Sequence, residues 1–287
     1  MRIQRFAAFS ALWIGLAAST ASAVPPPWGR DARTAFDAAR RDGKPLLVDL
    51  FADWCGWCKV MEARVFPTPE FARLARDFVL LRVDVEDGGE GGELAARYGA
   101  ESLPTLLVLE PSGALVGAVQ GFAEAPQLVQ EVSNARAVHE RVVAGYEKAL
   151  ASAEPDRLRV AAIDFYRRQD GPRAAALFAK LLAVEVQEGD DLAWTRFFLA
   201  ESLRRARDFA AARREVAAAE LAAAGSRDGE LGERIALLPF WIARDEARCE
   251  DASGALTEFA RRHPASLFLS AARNAFERLR AEGERCS

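Results

Sequence analysis

Cys55 and Cys58 stand three apart in Asp53-Trp54-Cys55-Gly56-Trp57-Cys58-Lys59, between an apolar run and a helical pattern. Thiols at that spacing close a small disulfide ring with little rearrangement. The unpaired N–H groups of the first helical turn and the positive end of the helix dipole favour a thiolate at Cys55, which makes it the attacking sulfur near neutral pH. Cys58, one turn in, is expected to be more shielded and to act second. The chemistry on offer is thiol–disulfide exchange: Cys55 attacks a disulfide, a mixed disulfide forms, and Cys58 resolves it.

Other cysteine chemistries fit less well. Zinc needs further ligands, and Cys249, Cys286, His139 and His263 are isolated rather than paired at ligand spacing. A papain-like nucleophile is contradicted by Trp57 and Lys59. No metal or cofactor is therefore expected, and both histidines read as ordinary helical residues. For Cys249 and Cys286 a stapling disulfide and two unpaired thiols both fit the sequence.

The elements that must position the pair can be read on either side of it. Ala35, Phe36 and Ala39 mark a short amphipathic helix from Asp31, ended by Asp42-Gly43-Lys44-Pro45. Residues 46–52 form a near-continuous apolar run, as in a strand covered on both faces, interrupted by Asp49. After the cysteine helix, Thr68 is the expected N-cap and Pro69 the first residue of the next helix. Residues 78–85 read as a second strand, the glycine- and acid-rich 86–93 as a surface loop, and 94–98 as a short helix. Strands at 105–109 and 114–120, turned by Pro111-Ser112-Gly113, and a helix at 125–137 complete the unit. This order predicts a mixed central sheet with helices on both faces over residues 28–136.

Beyond His139 the strand signal stops. Helices are expected at 138–152, 155–168, 172–188, 191–207, 209–224, 230–248, 252–262 and 265–281. Hairpin turns fall at Asp170-Gly171-Pro172, Arg207-Asp208-Phe209 and Glu250-Asp251-Ala252, with Ala175, Ala212 and Ala255 following at spacings of 37 and 43 residues. These spacings lie near the periods of helical-hairpin repeats, and a plain helical bundle fits as well. No Gly/Ser-rich linker divides the halves, so a fixed relative orientation is expected.

The 287 residues allow two domains, and 51% apolar with 28% charged residues suits a globular protein. A net charge of −4, with arginines scattered among acids, argues against a nucleic-acid partner. Arg2 and Arg5, the apolar residues 6–18 and Ala21-Ser22-Ala23 read as an export signal with cleavage expected after residue 23, and an uncleaved anchor tethering the chain through Val24-Pro25-Pro26-Pro27 is the alternative. Export implies a periplasmic or similar oxidising location, a soluble mature chain and persistent disulfides.

Residues 46–59 resemble the active-site strand and helix of the thioredoxin superfamily, and Gly43-Lys44-Pro45 and Met61-Glu62 bring them nearest to exported bacterial disulfide reductases of that type. The resemblance implies an α/β thioredoxin-like domain at 28–136, followed by an all-α helical-hairpin domain at 137–287. The latter resembles degenerate tetratricopeptide repeats. Cys55 and Cys58 would be catalytic. Pro104 would follow a cis peptide bond opposite them, with the Leu103 backbone pairing with extended substrate. Asp49 matches the family's buried acid, although on its own a strand acid also fits an edge position. The family's partner lysine has no counterpart in Val79-Leu80-Leu81, while Arg82 lies close by. Gly56 and Trp57 replace the Gly-Pro of thioredoxin and would tune the redox potential. Trp54 and Trp57 suit an apolar docking rim, and Trp54 equally suits a packing role. The function implied is an exported thiol–disulfide oxidoreductase, reductase or isomerase rather than oxidase, with disulfide-bearing protein substrates and a separate redox partner. The alternative is an adaptor whose helical half binds a protein ligand.

Overall fold

The computed structural model describes residues 27–86 and 90–281, so the expected export signal and Cys286 lie outside the described residues. Helix α1 (Ala32–Asp42) begins where the Asp31 carboxylate accepts from the Thr34 amide at 2.7 Å, and ends at Gly43, whose φ of 64° suits a residue without a Cβ. Strand β1 (Leu46–Phe51) leads to α2 (Gly56–Arg64), α3 (Pro69–Ala75), β2 (Val79–Asp84), α4 (Glu90–Tyr98), β3 (Thr105–Leu109), β4 (Leu115–Gln120) and α5 (Ala125–Leu150). Thr68 caps α3 and Pro69 opens it, as the sequence predicts.

The sheet order is β2-β1-β3-β4, with β1 parallel to β2 and the other pairs antiparallel. Alternation along β1 sorts its side chains between two cores. Leu47 faces Met61, Phe66, Phe71 and Leu128 beneath α2, α3 and α5, while Leu46, Val48 and Leu50 face Ala35, Ala39 and Leu94 beneath α1 and α4. Asp49 shares the parity of Leu47 and so lies on the face that α2 covers.

Two local expectations are corrected. The loop read over 86–93 is helical from Glu90, because Gly91 lets α4 press onto the end of β2: a Cβ there would lie 1.9 Å from the Asp84 carbonyl oxygen. The helices expected at 125–137 and 138–152 are one, α5, which buries Leu128 and Val132 against the sheet and carries Val142 and Tyr146 into the next cluster.

Among the described residues seven more helices follow: α6 (Pro155–Arg167), α7 (Gly171–Val184), α8 (Gly189–Arg205), α9 (Phe209–Ala222), α10 (Gly229–Asp245), α11 (Cys249–Arg262) and α12 (Leu269–Ala281). Gln169, Arg207 and Ala247, 38 and 40 residues apart, adopt left-handed backbone with φ of 60°, 63° and 59° just before α7, α9 and α11. The third turn therefore sits at Ala247-Arg248, earlier than the Glu250-Asp251-Ala252 expected. Those last three residues lie inside α11. Ala174, Ala212 and Ala252, each fully buried, occupy equivalent places after the turns.

The helical half is fastened to the sheet half at several points. His139 Nε2 meets Glu110 Oε1 at 2.6 Å, the Leu115 amide donates to the Arg168 carbonyl at 2.6 Å, and Arg244 and Arg278 both reach Glu93 on α4.

Candidate active site

The Cys55 and Cys58 sulfurs are bonded, with Cα atoms 5.3 Å apart. Cys55 is the N-cap of α2, and its Sγ accepts from the Cys58 amide at 3.1 Å. This is the hydrogen bond that would hold a Cys55 thiolate once the disulfide opens, since N–H groups at a helix start favour anions. The two cysteines are 3% and 2% exposed, so the contrast in shielding expected from sequence is absent with the ring closed. Ala52, Phe51, Val85 and Leu103 pack around them.

The Leu103–Pro104 peptide bond is cis. Pro104 is buried, and its carbonyl accepts from the Gly121 amide at 2.8 Å, which ties the segment to the end of β4. Leu103 touches the cysteine cluster and lies outside the β1–β3 ladder, which starts at Thr105, so the sheet does not use its backbone groups. Trp54 and Trp57 are 67% and 60% exposed, which removes the packing reading of Trp54. Trp57 stands 5.1 Å from the Phe122 ring, centroid to centroid, a neighbour the sequence did not suggest. No heavy atom outside its chain neighbours would lie within 4 Å of a Cβ at Gly56, so the turn between the cysteines faces open space.

Below α2, Asp49 is 1% exposed and sits directly across from Arg82 in the parallel register of β1 and β2. Arg82 Nε approaches Asp49 Oδ2 at 3.0 Å without hydrogen-bond alignment, and Asp49 Oδ1 has no hydrogen-bond partner among the described residues. The other end of the guanidinium meets Glu62 Oε1 of α2 at 2.8 Å, and the Phe51 ring lies 4.3 Å beneath it. Burial pushes the Asp49 carboxyl up to about 7 against the pull of Arg82, and the nearby Glu62 charge adds to the rise. The hydrogen bond from Arg82 holds Glu62 below the usual carboxylate range. Asp49 is thus a buried acid and not an edge residue. Arg82 is the cation beside it. Parallel register pairs these two residues, and a single strand read alone does not reveal register.

Thioredoxin-like is also the description of the family model that matches residues 27–111. This part of the chain is a thioredoxin-like domain. Over 80 residues the chain is 42% identical to the thiol:disulfide interchange protein DsbD of Pseudomonas fluorescens, covering 28% of this chain and 14% of that protein. Over 103 residues it is 35% identical to the DsbD of Yersinia pestis strain Pestoides F, covering 35% of this chain and 17% of that one. The chain thus aligns with roughly a sixth of the length of these relatives. The oxidised C-terminal domain of Neisseria meningitidis DsbD is similar at 26% identity, over 38% of this chain and all of that one, with a TM-score of 0.34.

Cys249 is also disulfide-bonded. Among the described residues no helix is long and apolar enough to cross a membrane.

Proposed function

We propose that the protein is an exported thiol–disulfide oxidoreductase acting on protein disulfides, a reductase or isomerase rather than an oxidase. The observation that carries this reading is the Cys55–Cys58 disulfide at the head of α2, with Leu103 of the cis Leu103–Pro104 segment packed against it. In the reducing direction the Cys55 thiolate attacks one sulfur of a substrate disulfide, and the other leaves as thiolate. Cys58, deprotonated, then attacks Cys55 Sγ. The second substrate sulfur leaves, and two electrons have passed from protein to substrate. Asp49, on the face beneath α2, is placed to take up the Cys58 proton, and Arg82 keeps its ionised form available near neutral pH. The Leu103 backbone offers an edge for extended substrate, and the exposed Trp54 and Trp57 an apolar rim. A separate redox partner restores the reduced pair.

The site reading assigns catalysis to Cys55 and Cys58, and support to Asp49, Trp54, Gly56, Trp57, Leu103 and Pro104. The leader at 1–23 and the division into units at 28–136 and 137–287 complete it. Insulin-disulfide reduction tests it: Cys55→Ser abolishes turnover, and Cys58→Ser accumulates a mixed disulfide that dithiothreitol releases. An intact chain that leaves insulin disulfides untouched at all accessible pH values would favour the adaptor reading.

A further inference from the structure

Between the two halves lies a cleft of about 630 Å³, away from the tryptophan rim. One wall is α4 of the thioredoxin-like domain, and the other is made by α6, α8, α10 and α12. Its lining has two parts. Phe197, Leu237 and Leu238 provide an apolar floor. Around them stand Arg97, Arg204, Arg205, Arg234, Arg244 and Arg278, against three lining carboxylates, Glu86, Glu93 and Glu201. Asp245 also engages Arg204 and Arg244, and Glu230 engages Arg234. Arg97 has no carboxylate within ion-pair distance among the described residues.

Three of these guanidiniums lie over aromatic rings that line the same space: Arg205 over Tyr166 at 4.2 Å, Arg234 over Phe268 at 4.9 Å and Arg244 over Trp241 at 5.0 Å. Stacking of this kind holds the planar group while leaving donor edges for a carboxylate. Six arginines stand against the five carboxylates named here, a balance of +1, in a chain whose net charge is −4, and Arg97 carries the unmatched charge. A volume of this size admits a few side chains and no folded module.

We infer that the cleft holds a short polypeptide segment in which acidic and apolar side chains alternate. On the oxidoreductase reading proposed above, the segment belongs to the disulfide-bearing client. Val85 links the two sites, since it lines the cleft and also packs against the cluster of Ala52, Cys55 and Cys58. A chain lodged at Val85 keeps its neighbouring residues beside the disulfide, which converts a bimolecular encounter into a local one. A free small anion gains nothing from that adjacency, which is why a chain segment is the occupant chosen.

The test uses the full chain with Cys55→Ser and Cys58→Ser together, so that no exchange chemistry contributes, and a fluorescein-labelled peptide of alternating glutamate and leucine. Anisotropy should rise to saturation with this peptide and weaken with added salt. Matched lysine–leucine and glutamate–serine peptides should bind far less. Arg97→Glu and Arg234→Glu should each lower affinity about tenfold, and Arg97→Gln should lower it by less while leaving the circular dichroism unchanged. Absence of binding, equal binding of the lysine peptide, or unchanged affinity in the folded Arg97→Gln and Arg97→Glu chains overturns the inference. A second arm gives the wild-type chain, first reduced at Cys55 and Cys58 with dithiothreitol and then freed of it, the same peptides with a terminal cysteine disulfide-linked to a thiol dye. Faster release from the glutamate–leucine peptide, lost in Arg97→Gln, supports client docking. Equal release from all peptides by a chain that reduces insulin overturns it. Peptide binding by a chain that fails to reduce insulin would leave the cleft standing and remove only the oxidoreductase reading.

Discussion

Asp49 shows how one buried carboxyl sets a pH dependence. Its folded-state pKa, near 7, lies above the ordinary value of 3.8, so the native chain binds a proton there that the unfolded chain has released. Whatever stability this proton confers is complete below about pH 4 and is lost as pH rises through about 7. Removing the group removes the loss. We expect the stability of Asp49→Asn minus that of the wild type to grow between pH 4 and 7 by an amount on the order of a few kcal/mol and to level off above that. Urea unfolding at a series of pH values measures it, and a difference that stays flat across the window would show that Asp49 ionises normally. The same substitution should remove an inflection near neutral pH from the insulin-reduction profile. Cys55 and Cys58 were legible in the sequence because their chemistry depends on spacing and on the helix they begin. Arg82 was visible as a nearby charge but not as a partner, because its pairing with Asp49 depends on register between two strands.

At the scale of elements, glycine misled the reading of 86–93. Four glycines and four acids there suggest a loop, yet Gly91 is the contact by which α4 approaches the backbone of β2. Gly91→Ala should therefore destabilise the fold by about 1–3 kcal/mol, as overpacking against backbone does, although alanine favours helix. Thermal unfolding reports it, and a neutral or stabilising effect would mean that α4 can shift without cost. The third hairpin turn was misplaced for a related reason. The turn was expected at Glu250-Asp251-Ala252, but the chain turns at Ala247 in left-handed backbone, and Arg248 caps α11 with no side-chain bond. A left-handed alanine leaves no mark in sequence. The other two turns were placed correctly because Asp170 and Asp208 cap the helices that follow them.

For the whole molecule, α5 is the member that both halves share. Its 26 residues, about 39 Å of helix, belong first to the sheet core and then to the helical array. Arg141, exposed and between the two packed stretches, is the place to break it. Arg141→Pro removes a helical hydrogen bond and clashes with the preceding turn, at a cost of about 3 kcal/mol or more. Calorimetry should then resolve two unfolding transitions where the wild type shows one. A single sharp transition in the variant would mean that the Glu93 ion pairs and the Leu115–Arg168 hydrogen bond couple the halves without a continuous α5. Local sequence determined the cysteine pair, the strand before it, the capped helices and the change from mixed to helical structure, because each follows from neighbours a few residues apart. Tertiary structure decided the Asp49–Arg82–Glu62 chain, the continuity of α5, and the arginine-lined cleft. Each of these is set by the register or packing of segments distant in sequence, which local propensity does not specify.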